Sequence, residues 1–280
     1  ERNPQRKQAM PKLICIDVDG TLVTENQETP ASAREAVRAS IAAGNKLLLS
    51  TGRSLPEIYP FLWDLGFHGI IAGSGAYVKI GEEVVMDRRM SAEEISYVTN
   101  IYRKHGVNWM WQGPDEFCMS EGFFGSFAGA PNAEGSPWYP YYLQILPVLS
   151  TKVPTSTSKG LFVLPYDSPV SYEEFVEIIG PKYHIIPDSV GAAGGTTGEL
   201  LLAGLTKEVG MRAAAQHLGF DVADTVALGD SPNDIEILKA AGTSVAMGNA
   251  TDAVKSHADL VTSAIDDDGV YRAFETLGLM

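Results

Sequence analysis

The sequence predicts an α/β protein: a doubly wound parallel sheet into which a second, α+β unit is inserted. Short apolar runs alternate with helical stretches early in the chain, and the same alternation resumes near its end. Such β-α-β alternation implies parallel strands joined by crossover helices. The segment 88–202 between the two halves is richer in aromatics and Pro, and is too long for a loop inside a compact domain. The expected division is a core at 12–87 and 203–280 and an inserted domain at 88–202.

Residues 1–11 are polar, carry Arg2, Arg6 and Lys7, and lack the apolar stretch of a signal peptide. They read as a disordered tail, with Met10 a natural start. Lys12–Ile16 is a short apolar run and reads as a buried parallel strand. A helix over 33–43 follows, with Pro30 near its start and Gly44 at its end. Asn45–Ser50 is the next strand, 54–65 the next helix, and Gly69–Ala72 a third strand. In the far half, Lys207–Leu218 reads as a helix, Asp224–Leu228 as a strand and Asp234–Ala241 as a helix. Thr243–Met247 and Leu260–Thr262 follow as strands, and Gly269–Leu277 as a closing helix.

The insert shows a helical stretch at Ala92–His105 and strand-like runs at Gly160–Leu164 and Tyr183–Ile186. Gly191–Gly198 reads as a hinge or hairpin. Its Trp and Tyr residues are expected mainly in the insert's own core, with Trp111 or Trp138 facing the cleft.

With 280 residues, the chain suits about two domains of ~100–200 residues. Asp plus Glu number 35 against 21 Lys plus Arg, a formal charge of −14. Such a chain repels nucleic acid, but it can hold one small anion where local cations and N–H groups gather. The two cysteines, Cys15 and Cys118, exclude a disulfide scaffold and favour a reducing, cytoplasmic setting. No apolar run reaches the ~18–20 residues a bilayer requires, so no membrane partner is expected. The five His residues show no metal-ligand spacing. A monomer or homodimer is expected.

The chemistry concentrates at strand ends. Asp17-Val18-Asp19-Gly20-Thr21 follows the first strand, and ligands of open α/β sheets bind beyond the strands' carboxyl ends. If the chain stays extended, Asp17 and Asp19 both face that crevice. Carboxylates this close repel unless a proton or cation intervenes, and a divalent metal on hard oxygens answers that need. Thr51-Gly52-Arg53 ends another strand, where a hydroxyl and turn N–H groups can take a phosphoryl oxygen. Lys207 opens a helix, where a cation is locally unfavourable and so hints at an anionic partner. Gly229-Asp230-Ser231-Pro232-Asn233-Asp234 ends a further strand and adds carboxylates. Taken singly, these are also an Asp-Gly turn, a helix cap, a surface Lys and an Asp N-cap. Their order places all of them on one sheet rim.

In these four motifs the chain resembles the haloacid dehalogenase superfamily phosphatases of the Cof-like type, whose Rossmann-like core carries a large cap between the second and third motifs. Val245–Ala250, Ala258-Asp259 and Asp268-Gly269-Val270 are also similar. The resemblance implies a Mg²⁺-dependent phosphatase acting on a small phosphorylated metabolite, with a sugar phosphate expected. Asp17 would be the nucleophile and Asp19 the general acid and base. Mg²⁺ would be held by Asp17, the Asp19 carbonyl and Asp230. Thr51, Gly52, Lys207 and Asn233 would hold the phosphoryl group, and Asn233 and Asp234 would position Lys207 or a metal-bound water. A phosphomutase or phosphotransferase, and a phosphate-binding protein without turnover, are the alternative readings. Two positions depart from the family pattern: Lys207 is followed by Glu208 where Gly is common, and Ser74-Gly75 stands where Asn-Gly is usual.

Overall fold

The structure is a computed structural model that describes residues 10–129, 135–136, 138–187, 192 and 194–280. Most of the expected tail, residues 1–9, and residues 191 and 193 of the Gly191–Gly198 stretch lie outside the described residues. From Gly195 that stretch is regular strand.

The strands are β1 Leu13–Ile16, β2 Lys46–Ser50, β3 Gly69–Ala72, β4 Tyr77–Ile80, β5 Glu83–Asp87, β6 Met90–Ser91, β7 Asn108–Gln112, β8 Phe117–Met119, β9 Leu149–Ser150, β10 Ser156–Thr157, β11 Lys159–Pro165, β12 Tyr183–Pro187, β13 Gly195–Leu202, β14 Thr225–Gly229, β15 Thr243–Ala246 and β16 Leu260–Val261. An eight-stranded sheet has the order β16-β15-β14-β1-β2-β3-β4-β5. It is parallel from β16 to β3 and antiparallel at β4 and β5. The hairpin of β4 and β5 extends the expected sheet by two antiparallel strands.

β1 is central, and both of its faces are covered. Ile14 and Ile16 join Leu47, Leu49 and Phe274 in one apolar layer, whereas Leu13 and Cys15 join Leu48, Met211 and Ala227 in the other. Alternate residues of a strand point to opposite faces, so a strand buried on both sides reads as an unbroken apolar run.

The insert forms a six-stranded sheet, β12-β13-β11-β7-β8-β9, antiparallel except where β8 meets β9. Helices Ala92–Lys104 and Tyr172–Ile179 pack on one face through Ile95, Val98, Tyr102 and Phe175. Both open with a capping box, Ser91 with Glu94 and Ser171 with Glu174. Among the described residues no helix is long and apolar enough to cross a membrane.

Three expectations are corrected. The helix read at 54–65 is a single 3₁₀ turn, Leu55–Glu57, and a short helix, Pro60–Trp63. Pro60 drives the preceding Tyr59 into the extended region, which breaks the helical path. The helix read from Asp234 begins one residue later, after a 3₁₀ turn at Pro232–Asp234. Trp111 does not face the cleft: it is fully buried in the cap core, and its Nε1 donates to Thr99 Oγ1 at 3.1 Å. Trp138 is half-buried, packed edge-on against Phe127 and Tyr141.

Candidate active site

β14, β1 and β2 are parallel neighbours, so the residues after their carboxyl ends share one rim. Asp230 follows β14, Asp17 follows β1 and Thr51 follows β2. The Asp17 N–H donates to Leu228 O at 3.0 Å, continuing the pairing of β1 with β14 to the point where the site begins.

Lys207 starts the helix Lys207–Leu218 and is almost wholly buried. Its Nζ donates to Asp17 Oδ1 and Asp234 Oδ1, both at 2.6 Å, and to Asn233 Oδ1 at 3.1 Å. The other oxygen of Asp234 accepts from the N–H groups of Asp230 and Ser231, each at 3.1 Å. Asp234 therefore fixes both the ammonium and the turn that carries Asp230.

Asp230 accepts from Thr21 Oγ1 at 2.9 Å and from Ser231 Oγ at 3.2 Å. This approach requires Gly20. A Cβ there would fall on the Asp230 carboxylate, and the residue's φ of +84° suits glycine. Asn249 secures the same loop, donating to Gly20 O at 2.8 Å and accepting from the Ile265 N–H.

Oxygens of Asp17, Asp230 and Asp234 lie within 4.8 Å of one another. Burial, followed by the neighbouring Asp234 carboxylate, raises Asp17 well above the usual carboxylate range, with Lys207 opposing. The same two causes push Asp230 up to about 6. Burial alone would lower the Lys207 ammonium, but Asp17 and Asp234 outweigh it and hold the proton more tightly. Three carboxylates against one ammonium leave excess negative charge, and hard oxygens so gathered fit a divalent cation. Asp17 and Asp230 suit it best, since the Asp234 oxygens are taken by the Lys207 ammonium and two fixed backbone N–H groups, whereas the donors to Asp230 are hydroxyls, which can rotate away.

Asp19 stands apart from this cluster. The loop folds back on itself through the Leu22 and Val23 N–H groups to Val18 O, rather than staying extended. The half-exposed Asp19 carboxylate is held by Arg53, whose Nε and Nη2 donate to its two oxygens at 2.8 and 2.6 Å. Thr51 is buried, and its Oγ1 accepts from the Arg53 N–H at 3.0 Å, shaping the turn. Gly52 adjoins the cluster: Asn233 Nδ2 and Ser74 Oγ each lie 3.4 Å from where its Cβ would be, and Glu199 Oε1 lies 3.6 Å away.

Sequence reading missed Arg53 as a partner of Asp19, although it sat in the Thr51-Gly52-Arg53 run. It also missed Lys159 and Glu199. These cap residues pair at 2.5 Å, and Lys159 Nζ donates to Gly52 O at 2.7 Å. Nothing in the sequence pattern marks them, because only the docking of β11 and β13 over Gly52 brings them to the rim.

The profile of the haloacid dehalogenase-like hydrolases matches residues 14–274. The chain is 27% identical to the Bacillus subtilis 5-amino-6-(5-phospho-D-ribitylamino)uracil phosphatase YcsE over 96% of each chain. It is also 27% identical to the Escherichia coli pyridoxal phosphate phosphatase YbhA, over 92% of this chain and 96% of that one. Among solved structures it resembles the subclass IIB sugar phosphatase BT4131, with a TM-score of 0.75, 26% identity and coverage of 96% of this chain and 100% of that one. Fold, rim chemistry and kinship agree: the chain belongs to the haloacid dehalogenase-like hydrolases, among their capped, Cof-like phosphatases, and is a phosphoric monoester hydrolase.

Proposed function

We propose that this phosphatase is Mg²⁺-dependent and hydrolyses a small phosphorylated metabolite, a sugar phosphate, through an aspartyl-phosphate on Asp17. The observation that carries the reading is the Lys207 ammonium shared by Asp17 and Asp234 beside the Asp230 carboxylate.

With Oδ1 of Asp17 held by Lys207, Oδ2 would be the attacking oxygen. The new O–P bond forms as the bond to the leaving alkoxide breaks, and Asp19 gives that alkoxide its proton. Asp19 then takes a proton from the water that attacks the aspartyl-phosphate, which frees phosphate and restores Asp17. Lys207 and the turn at Thr51-Gly52 hold phosphoryl oxygens as charge develops. Asn233 and Asp234 keep Lys207 aimed. Asp17, Asp230 and the Asp19 carbonyl would hold Mg²⁺, which when bound offsets repulsion between the Asp17 carboxylate and the phosphate dianion.

The segment 88–202 serves as the cap that shields the phosphoryl site from water. A cavity of about 180 Å³ between cap and core is lined by Ser74, His184, Lys207, Asn233 and Glu236. Ile185, Ile186, Pro187 and Pro232 make the lining mixed; its polar side chains, with Lys159 and Glu199 at the rim, suit a hydroxylated leaving group, and the sugar phosphatase among the structural relatives supports the same class. Two buried free cysteines fit a reducing, cytoplasmic setting.

A panel of phosphate esters tests this function, with released phosphate measured against phosphate transferred to a second hydroxyl. Release from sugar phosphates ahead of other esters is expected. Transfer without release would make the enzyme a mutase.

A further inference from the structure

We infer that Glu57 is a positioning residue that couples the docking of the cap to the aim of Asp19, through Arg53. The inference rests on the proposed role of Asp19 as proton donor. It comes from a buried carboxylate that this chemistry does not use.

Glu57 is 6% exposed and lies at the end of the 3₁₀ turn Leu55–Glu57. Its two oxygens face different partners. Oε2 accepts from the Ser54 N–H at 2.6 Å, closing a capping box that shapes the turn directly after Arg53. Oε1 accepts from two cap side chains, Gln112 Nε2 at 2.9 Å and Tyr141 OH at 2.8 Å. All three are donors, so the ionised carboxylate satisfies them together, even though burial raises its proton affinity. The backbone of the same residue continues the chain of contacts. Glu57 O accepts from Arg53 Nη1 at 3.1 Å, while Nε and Nη2 of that guanidinium grip Asp19. The ring of Tyr59 lies 4.9 Å from the Arg53 guanidinium carbon and backs it.

A rigid planar guanidinium with three of its nitrogens engaged transmits orientation, because it cannot turn toward Glu57 O without turning its fork on Asp19. Other cap contacts land on the same short segment. Gln144 Nε2 donates to Pro56 O at 3.1 Å, and Lys159 Nζ donates to Gly52 O. The loop that aims Asp19 is thus the loop on which the cap sits. When the cap is docked, Glu57 is held from above and Arg53 presents Asp19 in one orientation. When it lifts, Oε1 loses both donors and the carboxylate is held only through Oε2, by the Ser54 N–H.

The test separates positioning of a proton donor from general damage. Phenyl phosphate and p-nitrophenyl phosphate have similar shapes, but p-nitrophenolate departs readily without a proton and phenolate does not. Asp19→Asn should lower kcat/KM for phenyl phosphate about 100-fold more than for p-nitrophenyl phosphate. Tyr141→Phe, which leaves the capping box intact, and Glu57→Gln should shift the same ratio in the same direction by about tenfold. Neither should shift it further in the Asp19→Asn background. Equal losses on both esters, or an unchanged ratio in Tyr141→Phe, would overturn the coupling and leave the phosphatase reading standing. A wild-type enzyme that hydrolyses neither ester would remove both.

Discussion

Lys207 Nζ and Asp17 Oδ1 are 2.6 Å apart, joining the start of a helix to the end of the central strand across 190 residues of sequence. The ammonium compensates the proposed nucleophile, which would otherwise sit buried among like charges. Replacing it by Met, which keeps the apolar stem, should lower activity by about 100- to 1000-fold. The metal-free variant should also lose about 3–5 kcal/mol at neutral pH, because buried carboxylates are left unpaired. Urea unfolding of the Lys207→Met variant checks this, and an unchanged midpoint would contradict it.

The raised carboxylates make stability depend on pH and on metal together. Asp230 moves from 3.8 to about 6 in the folded protein, so the native state binds its proton more tightly than the unfolded chain does. A contribution of this sign is present at low pH and is lost as pH rises through about 6. Asp17 shifts in the same direction. A divalent cation takes over where the proton leaves. Added Mg²⁺ should therefore raise Tm more at pH 7.5 than at pH 5, measured by calorimetry, and an equal rise at both would count against a metal on these groups.

Gly20 lets the Asp230 carboxylate approach the loop that follows β1. Gly20→Ala meets both that carboxylate and an unfavourable backbone, at about 1–2 kcal/mol for the latter. Mg²⁺ affinity, read by titration calorimetry, should fall by about tenfold or more. Unaltered affinity would show that Asp230 need not stand where it does.

Ser74 adopts a left-handed backbone, φ 53° and ψ 35°, while almost fully buried. The resemblance placed Asn at this position, and Asn tolerates that region better than Ser. The pair Ser74→Gly and Ser74→Ala isolates the backbone cost. The Gly variant should be more stable than the Ala variant by about 1 kcal/mol in urea. The reverse order would deny the strain.

The legible parts of the molecule were those that local chemistry dictates. β1 is readable because both its faces are buried, and Lys207 because a cation at a helix start conflicts with the helix dipole unless an anion meets it. Asp17, Asp230, Asp234 and Asn233 follow from strand ends that share a rim. The short elements around Pro56 and Pro60 escaped, because Pro60 holds Tyr59 extended and so divides what reads as one helix over 54–65. Asp19 was legible as a residue but not in its hold on Arg53. Glu57, Tyr141, Lys159 and Glu199 were silent, because their meaning arises only when the cap meets the core.

Hydrolysis of p-nitrophenyl phosphate by wild type and Asp17→Asn, each with Mg²⁺ and with EDTA, tests the nucleophile most directly. Wild type with Mg²⁺ should turn over, and both EDTA treatment and the substitution should reduce the rate to background. Full activity in Asp17→Asn would contradict the account.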